Sequence, residues 1–409
     1  MKEFNIVIIG GGAAGMMAAY AASKDNKNDV LLLEKNEKLG RKIYITGKGR
    51  CNLTNSVDIS EFFDNITRNP EFLYSSLYSF DNRAVMNFFI EHGVLLKEER
   101  GMRVFPQSDK SSDIIKALSK SISKVTTILN ENVVKIDKEN KHFVITTDKD
   151  SYLANKVIIA TGGLSYPGTG STGDGYKFAR HLGHTIVDPM PSLCPILLND
   201  EDVTIVTGLT VKNVEISVYI DDKRIITHFG DFLFTHRGIS GPLVLTISDM
   251  ISGIDPNSIK LYCNFKPSIP IDELELRLLK DINSNPKREI KTLFLEYFPK
   301  SLGEYLFKKS EIKNKTKLHE IDKNLRKKIL DLITNFKFEY KSVDHIRQAI
   351  VTKGGVSTKE LNSKTMESKL VPNLYFCGEI IDVNALTGGF NLQIAFSTGY
   401  AAGHYAISN

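Results

Sequence analysis

The chain has 409 residues, 42% hydrophobic, 25% charged and 9% aromatic, the balance of a globular protein with two or three domains, which excludes global disorder, a coiled coil or a disulfide-held miniprotein. Its formal charge of +5 is local: residues 308–328 hold nine Lys or Arg against three acids, which reads as a solvated helical face, so no nucleic-acid partner is expected. Cys51, Cys194, Cys263 and Cys377 lie far apart with no CxxC pair, so neither a disulfide framework nor a metal site is signalled and a reducing cytoplasm is the expected home.

In chain order, the uncharged run Phe4–Ser23 imitates a signal peptide, but Gly10, Gly11 and Gly12 would break the helix of a signal core. The run reads instead as strand Phe4–Ile9, a glycine turn and helix Met16–Ser23, followed by strand Val30–Leu33: one βαβ unit of a buried parallel sheet. No other stretch approaches a membrane span, and no membrane partner is expected. Residues 133–157 alternate in short segments, as a hairpin layer returning to a buried strand at Val157–Ala160.

Residues 192–265 hold short strand-like segments, and 271–335 turn helical, with apolar Leu274, Leu278, Ile282, Leu325, Ile329 and Leu332. Strand-like segments resume near Ala349–Thr352 and Leu374–Cys377, and a small-residue helix closes the chain. The expected domains are 1–190 joined to 341–409, an inserted β-rich domain at 191–268 and a helical domain at 269–340.

The strongest chemical signal is Gly10-x-Gly12-x-x-Gly15 between strand and helix, with Glu34 closing the next strand. Gly10 permits the turn, Gly12 lets backbone approach a pyrophosphate, and Gly15 lets helix and strand pack closely. The free N–H groups of Ala13, Ala14 and Gly15 at the helix start favour phosphate, and Glu34 suits a ribose diol. The loop Lys35–Asn55 then brings Lys35, Arg41, Lys42, Lys48, Gly49, Arg50, Cys51 and Asn52. It is expected to lie along the cofactor, cations at phosphates and backbone N–H groups at a ring system.

The stretches GGGAAG (10–15), GRKIYITGKGRCNLTN (40–55), ATGGLSYPGTGSTGDGY (160–176), FTHRGISGP (234–242) and CGEIIDVNALTGGFNLQIAFSTGYAAG (377–403) resemble a family of bacterial FAD flavoproteins that includes aminoacetone oxidase and a 3-oxo-bile-acid reductase. The resemblance runs nearly end to end and is weakest over 271–335. This chain departs from the family's serine and triple-glycine turn with Thr46-Gly47-Lys48-Gly49.

The resemblance implies an α/β fold: a glutathione-reductase-type Rossmann domain, split in sequence, with β-rich and helical insertions. It also implies cofactor contacts at Val134, Ala160, Thr161, Gly162, Gly163, Gly378, Glu379, Asp382, Gly389, Asn391, Leu392 and Gln393. The last helix would point its N-terminus at the flavin. FAD is expected to be non-covalent, because residues 41–55 hold no histidine to tether it. A second formal GxGxxG at Gly168–Gly173 lacks the preceding strand and the following acid, so NAD(P)H is expected only as a transient reductant.

Smaller expectations concern Cys51, a packed side chain or a redox thiol; His236 and Arg237, substrate-facing or a structural turn; and Lys353, beside the flavin or at a surface turn. The implied activity is FAD-dependent hydride transfer with a small organic substrate, either oxidising an amine or alcohol or reducing an activated C=C. The alternative is a flavin-containing RNA-modifying or RNA-associated protein.

Overall fold

A computed structural model describes residues 1–24 and 29–408. The chain divides into two units, residues 1–192 with 346–409, and residues 193–345. Among the described residues no helix is long and apolar enough to cross a membrane.

In the first unit, β1 (Lys2–Ile9) pairs in parallel with β2 (Val30–Glu34) on one side and with the strand Ser151–Ile159 on the other. Thr126–Leu129 extends the sheet beyond β2, and Leu374–Phe376 pairs in parallel with Val157, Ile158 and Ile159. All of Ile6–Ile9 and Val30–Leu33 are buried, which is why these strands are continuous apolar runs. The hairpin of Val133–Glu139 and His142–Thr147 is not a separate layer. Phe143–Thr146 pairs antiparallel with Ser151–Ala154, so the long 151–159 strand belongs to a hairpin at one end and to the parallel sheet at the other.

The helix α1 (Ala13–Ala22) packs on the C-terminal helix Phe390–Ser408, backbone nearly against backbone. A Cβ on Gly399 would stand 2.3 Å from the Ala14 carbonyl oxygen, and one on Gly403 would stand 2.2 Å from that of Ala18. Only glycine allows this approach, which fixes the last helix beside the glycine turn.

The second unit is an antiparallel seven-stranded sheet in the order 336–338, 259–264, 210–220, 223–235, 238–240, 196–198, 340–343. Only Glu339 separates the two strands at the ends of that order, so the sheet curls back on itself. The expected β-rich (191–268) and helical (269–340) domains are one unit: Phe232, Phe234, Phe336 and Phe338 share a core with Leu278, Phe294, Leu306 and Ile329. A sheet with one apolar face needs a cover, and the helices at 271–309 and 323–334 supply it. The chain rejoins the first unit at 346 rather than 341, because Tyr340–Val343 completes this sheet.

The basic stretch 308–328 is not one helical face. The helix Lys300–Lys309 stops, Glu311 turns left-handed at φ 57°, and a new helix begins at Lys323. Lys308 and Lys309 pair with Asp202, Lys317 with Glu289, Arg326 with Glu275 and Lys328 with Glu311, so much of the charge is neutralised locally.

Candidate functional site

The site begins where β1 ends. Gly10 adopts φ 106°, and a Cβ there would lie 2.6 Å from the Ala160 oxygen; one on Gly15 would lie 1.8 Å from the Gly10 oxygen. Gly12 differs, because a Cβ there meets nothing within 4 Å. No side chain caps α1, so the N–H groups of its first turn face that open space. An uncapped helix start above an open glycine fits the pyrophosphate of a dinucleotide.

Glu34, at the end of β2, is buried. Its carboxylate accepts from the Gly11 N–H at 2.7 Å, the Asn36 N–H at 2.8 Å and the Asn36 amide at 2.6 Å, which aims it at the glycine turn. The Asn130 and Glu131 N–H groups donate to the Asn36 and Glu34 carbonyls, so residues 130–134 run beside this strand end; Val134 itself is exposed while Val133 is buried. Ala160 and Thr161 follow the neighbouring strand, and the Thr161 hydroxyl oxygen is buried without a hydrogen-bond partner, packed where a Cβ on Gly175 would stand 2.0 Å from it.

Of the loop cations expected at phosphates, Lys35, Lys42 and Arg50 meet carboxylates, whereas Arg41 and Lys48 are exposed without a carboxylate partner among the described residues. Lys35 bonds Asp174 at 2.8 Å and Thr172. Arg50 bonds Glu99 and, at 2.7 Å, Asp109, with its guanidinium over the Phe105 ring. Lys42 bonds Glu379 at 2.6 Å and Ser165 at 2.5 Å. Burial would push the Glu379 carboxyl up, but the Lys42 charge and the hydrogen bonds from Lys42, the Thr352 N–H and Ser165 outweigh it and hold it below the usual range. Thr352 also accepts from the N–H groups of Leu164 and Ser165, and a Cβ on Gly163 would strike its hydroxyl at 2.4 Å. Gly162, at φ 72°, lies beside the same cluster, 4.0 Å from the Glu379 carboxylate to its would-be Cβ.

Sequence reasoning missed Ser165, Thr352 and Tyr176. Ser165 stood inside the quoted 160–176 motif, whereas Thr352 preceded Lys353 with no local signal. Tyr176 is buried with an unpartnered hydroxyl, and burial with the nearby Glu379 and Asp382 charges keeps it protonated.

Between Lys42 and Arg50 the backbone is left-handed at Gly47, Lys48 and Gly49, and again at Cys51 (φ 61°). The Cys51 thiol is pushed up to about 12 by burial, against a hydrogen bond with Thr46, so it is a packed, protonated side chain at neutral pH. Asn52 follows with its side-chain oxygen buried and unpartnered.

At the C-terminal side, Gly378 turns at φ 76° and a Cβ there would stand 2.7 Å from the Ala14 Cβ. Asp382 pairs with Arg68 and accepts from Asn69, which holds it in the fold. Gly389 passes so close to Thr54 that a Cβ would stand 2.3 Å from its carbonyl oxygen. The Asn391 side chain closes the 385–391 turn by bonding Ala385 twice, and Leu392 is half-buried. Gln393 is fully buried, satisfied by Thr54, Ser397 and the Phe80 carbonyl. These residues therefore set the start of the last helix through their own contacts.

The second glycine motif folds as a wall of the same site. Asn36 donates to the Thr169 carbonyl at 3.2 Å, a Cβ on Gly170 would strike Asn36 at 2.5 Å, and Gly173 starts the helix Asp174–His181. Lys353 lies half-buried in Val351–Val356, beside the left-handed Gly354 and Gly355. His236 and Arg237 lie in the second unit, exposed where Lys223–Thr235 turns into Gly238–Ser240.

Residues 4–405 match the family model described as the HI0933-like protein Rossmann domain. The chain is 32% identical over 414 residues to the "Ribosomal RNA dihydrouridine synthase" of Escherichia coli (strain K12), covering 100% of this chain and 99% of that one. It is 30% identical over 407 residues to the "3-dehydro-bile acid delta(4,6)-reductase" of Clostridium scindens, covering 98% of each. Among solved structures it is similar to an E. coli quinol fumarate reductase FrdA chain, at 15% identity and TM-score 0.53 over 100% of this chain and 71% of that one, a likeness of fold.

Proposed function

Because the chain belongs to the HI0933-like Rossmann family and is an FAD-dependent oxidoreductase, we propose that it saturates a carbon–carbon double bond conjugated to a carbonyl, and that its substrate is a uracil ring in RNA. The observation that carries this reading is shared chemistry. A dihydrouridine synthase and a delta(4,6)-reductase, both matched over nearly their whole length, are named for adding two hydrogens across such a bond. In uracil that bond is C5=C6, conjugated to the C4 carbonyl.

Bound FAD in its reduced form supplies the hydride. Gly12 and the uncapped start of α1 would hold the pyrophosphate, and Glu34 the ribose. The Lys42–Glu379–Ser165–Thr352 cluster ties the 41–52 loop to the 160–165 and 377–380 segments, so their mutual placement is fixed. Hydride addition at the β-carbon leaves the α-carbon to be protonated, and Lys353 is the proton donor or carbonyl-polarising group proposed for that step. The RNA reading does not depend on the 308–328 segment, where five of the nine cations meet carboxylates.

The test is to reduce the purified protein chemically without oxygen, add either an unmodified ribosomal RNA fragment or a 3-oxo-4-ene steroid, and follow return of the flavin colour. RNA should restore the colour, and the recovered RNA should carry two extra hydrogens on one uridine. Colour restored by the steroid alone overturns the substrate. An amine or alcohol that bleaches the oxidised protein, with peroxide formed in air, overturns the reaction type.

The second glycine motif, folded against Lys35 and Asn36, supports the absence of a stable nicotinamide site. NADPH mixed with the oxidised protein under anaerobic conditions should bleach it slowly and in proportion to concentration. Fast bleaching that saturates would contradict this.

A further inference from the structure

The loop that follows Glu34 has two faces. Its inner cations Lys35, Lys42 and Arg50 each meet a carboxylate. On the outer side, Arg41 and Lys48 are exposed and have no carboxylate partner among the described residues; the guanidinium of Arg41 meets only the Asn36 side-chain oxygen, at 3.0 Å. Between them stand Tyr44, 60% exposed, and Ile45, 40% exposed. The Ser111 hydroxyl donates to the Tyr44 carbonyl at 2.9 Å, which brings exposed Lys110, also without a carboxylate partner, to the same place. Asp109, next to Lys110 in sequence, is paired with Arg50 and Lys97.

Lys48 holds φ 58° and ψ 39° between two glycines, a conformation that strains any side chain without a short polar group. A glycine there would be free of strain. An exposed aromatic ring in a stretch that also carries exposed cations without carboxylate partners suits single-stranded nucleic acid, because every base offers a π-face and every linkage a negative charge. The helix α2 (Arg41–Ile45) that carries Tyr44 begins at Gly40, whose N–H donates to the Gly11 carbonyl at 2.9 Å. The exposed face therefore rises directly from the glycine turn.

We propose that Arg41, Tyr44, Lys48 and Lys110 form the docking surface for a single-stranded segment of the RNA substrate, with an unpaired base stacked on Tyr44 and the flanking phosphates on the three cations. This rests on the RNA reading above and assigns it a surface.

The test is fluorescence anisotropy of a labelled single-stranded oligouridylate titrated with the FAD-loaded protein. Tyr44→Ala should weaken binding about tenfold, the loss of one stacked base. Lys110→Gln, outside the 35–55 loop, should weaken it less and flatten the salt dependence by about 0.7, the loss of one phosphate contact. Both variants should keep the wild-type flavin content and absorption spectrum. Variants that bind like the wild type, while RNA is still reduced, overturn this proposal and leave the reaction standing. Loss of flavin together with RNA binding overturns it too, since it places Tyr44 at the cofactor. A wild-type protein that ignores the oligouridylate overturns the surface and the RNA reading together.

Discussion

Gly12→Val protein should fold with a stability within about 1 kcal/mol of the wild type yet emerge without flavin, whereas Gly15→Val should lose several kcal/mol and fail to accumulate. The two glycines belong to one motif but carry opposite constraints. Gly12 has φ −83°, open to any residue, and its missing Cβ faces empty space, so a valine would occupy room that only a ligand needs. The missing Cβ of Gly15 faces the Gly10 oxygen at 1.8 Å, so a side chain there forces helix and strand apart. Thermal melts of the flavin-free proteins and the ratio of flavin to protein absorbance separate the two outcomes. A Gly12→Val protein with a full complement of FAD would remove the pyrophosphate from this turn.

Glu379→Gln should cost about 2 kcal/mol of stability at neutral pH. Losing one partner of a buried pair costs more, but the Glu379 and Lys42 side chains remain 19% and 25% exposed and water screens part of the loss. The glutamine still accepts from Ser165 and the Thr352 N–H, so what vanishes is the charge opposite Lys42. The folded-state carboxyl is held below its unfolded value, so this stability is present in full above the unfolded value, near pH 4.3, and is lost as pH falls through the folded one. The gap between wild type and variant should therefore close under acid and be unchanged from pH 6 to 8. Urea melts of Lys42→Met, Glu379→Gln and the double variant complete the cycle. Single losses that add up in the double variant would show that the two groups do not support each other.

What the sequence made legible was local. The βαβ unit, the glycine turn and Glu34 are set by residues within one span of about 30, and each glycine's task follows from its position in the turn. The fate of the loop cations was not legible, because their partners lie far along the chain: Asp174 for Lys35, Glu379 for Lys42, Glu99 and Asp109 for Arg50. Composition marks such residues as charged; only the fold decides whether the counter-charge is a phosphate or a carboxylate. The strands Phe336–Phe338 and Tyr340–Val343 were missed for a related reason. Three or four residues carry too little periodicity to announce a strand, and these two are held by partners more than 70 residues away. The 191–340 insertion was read as two domains because its strands and helices are segregated in sequence, although each supplies half of one core.

The backbone contact between α1 and the helix Phe390–Ser408 also has a consequence for synthesis. The residues proposed to cradle the nucleotide are among the first made, yet Ala14 and Ala18 gain the surfaces of Gly399 and Gly403 only when the closing helix has left the ribosome. The 193–345 unit, contiguous in sequence and with its own core, is complete well before then. A nascent chain stalled near residue 390 should therefore protect the inserted unit from protease while leaving the first 20 residues open to it, and cofactor capture should be a late, post-translational step.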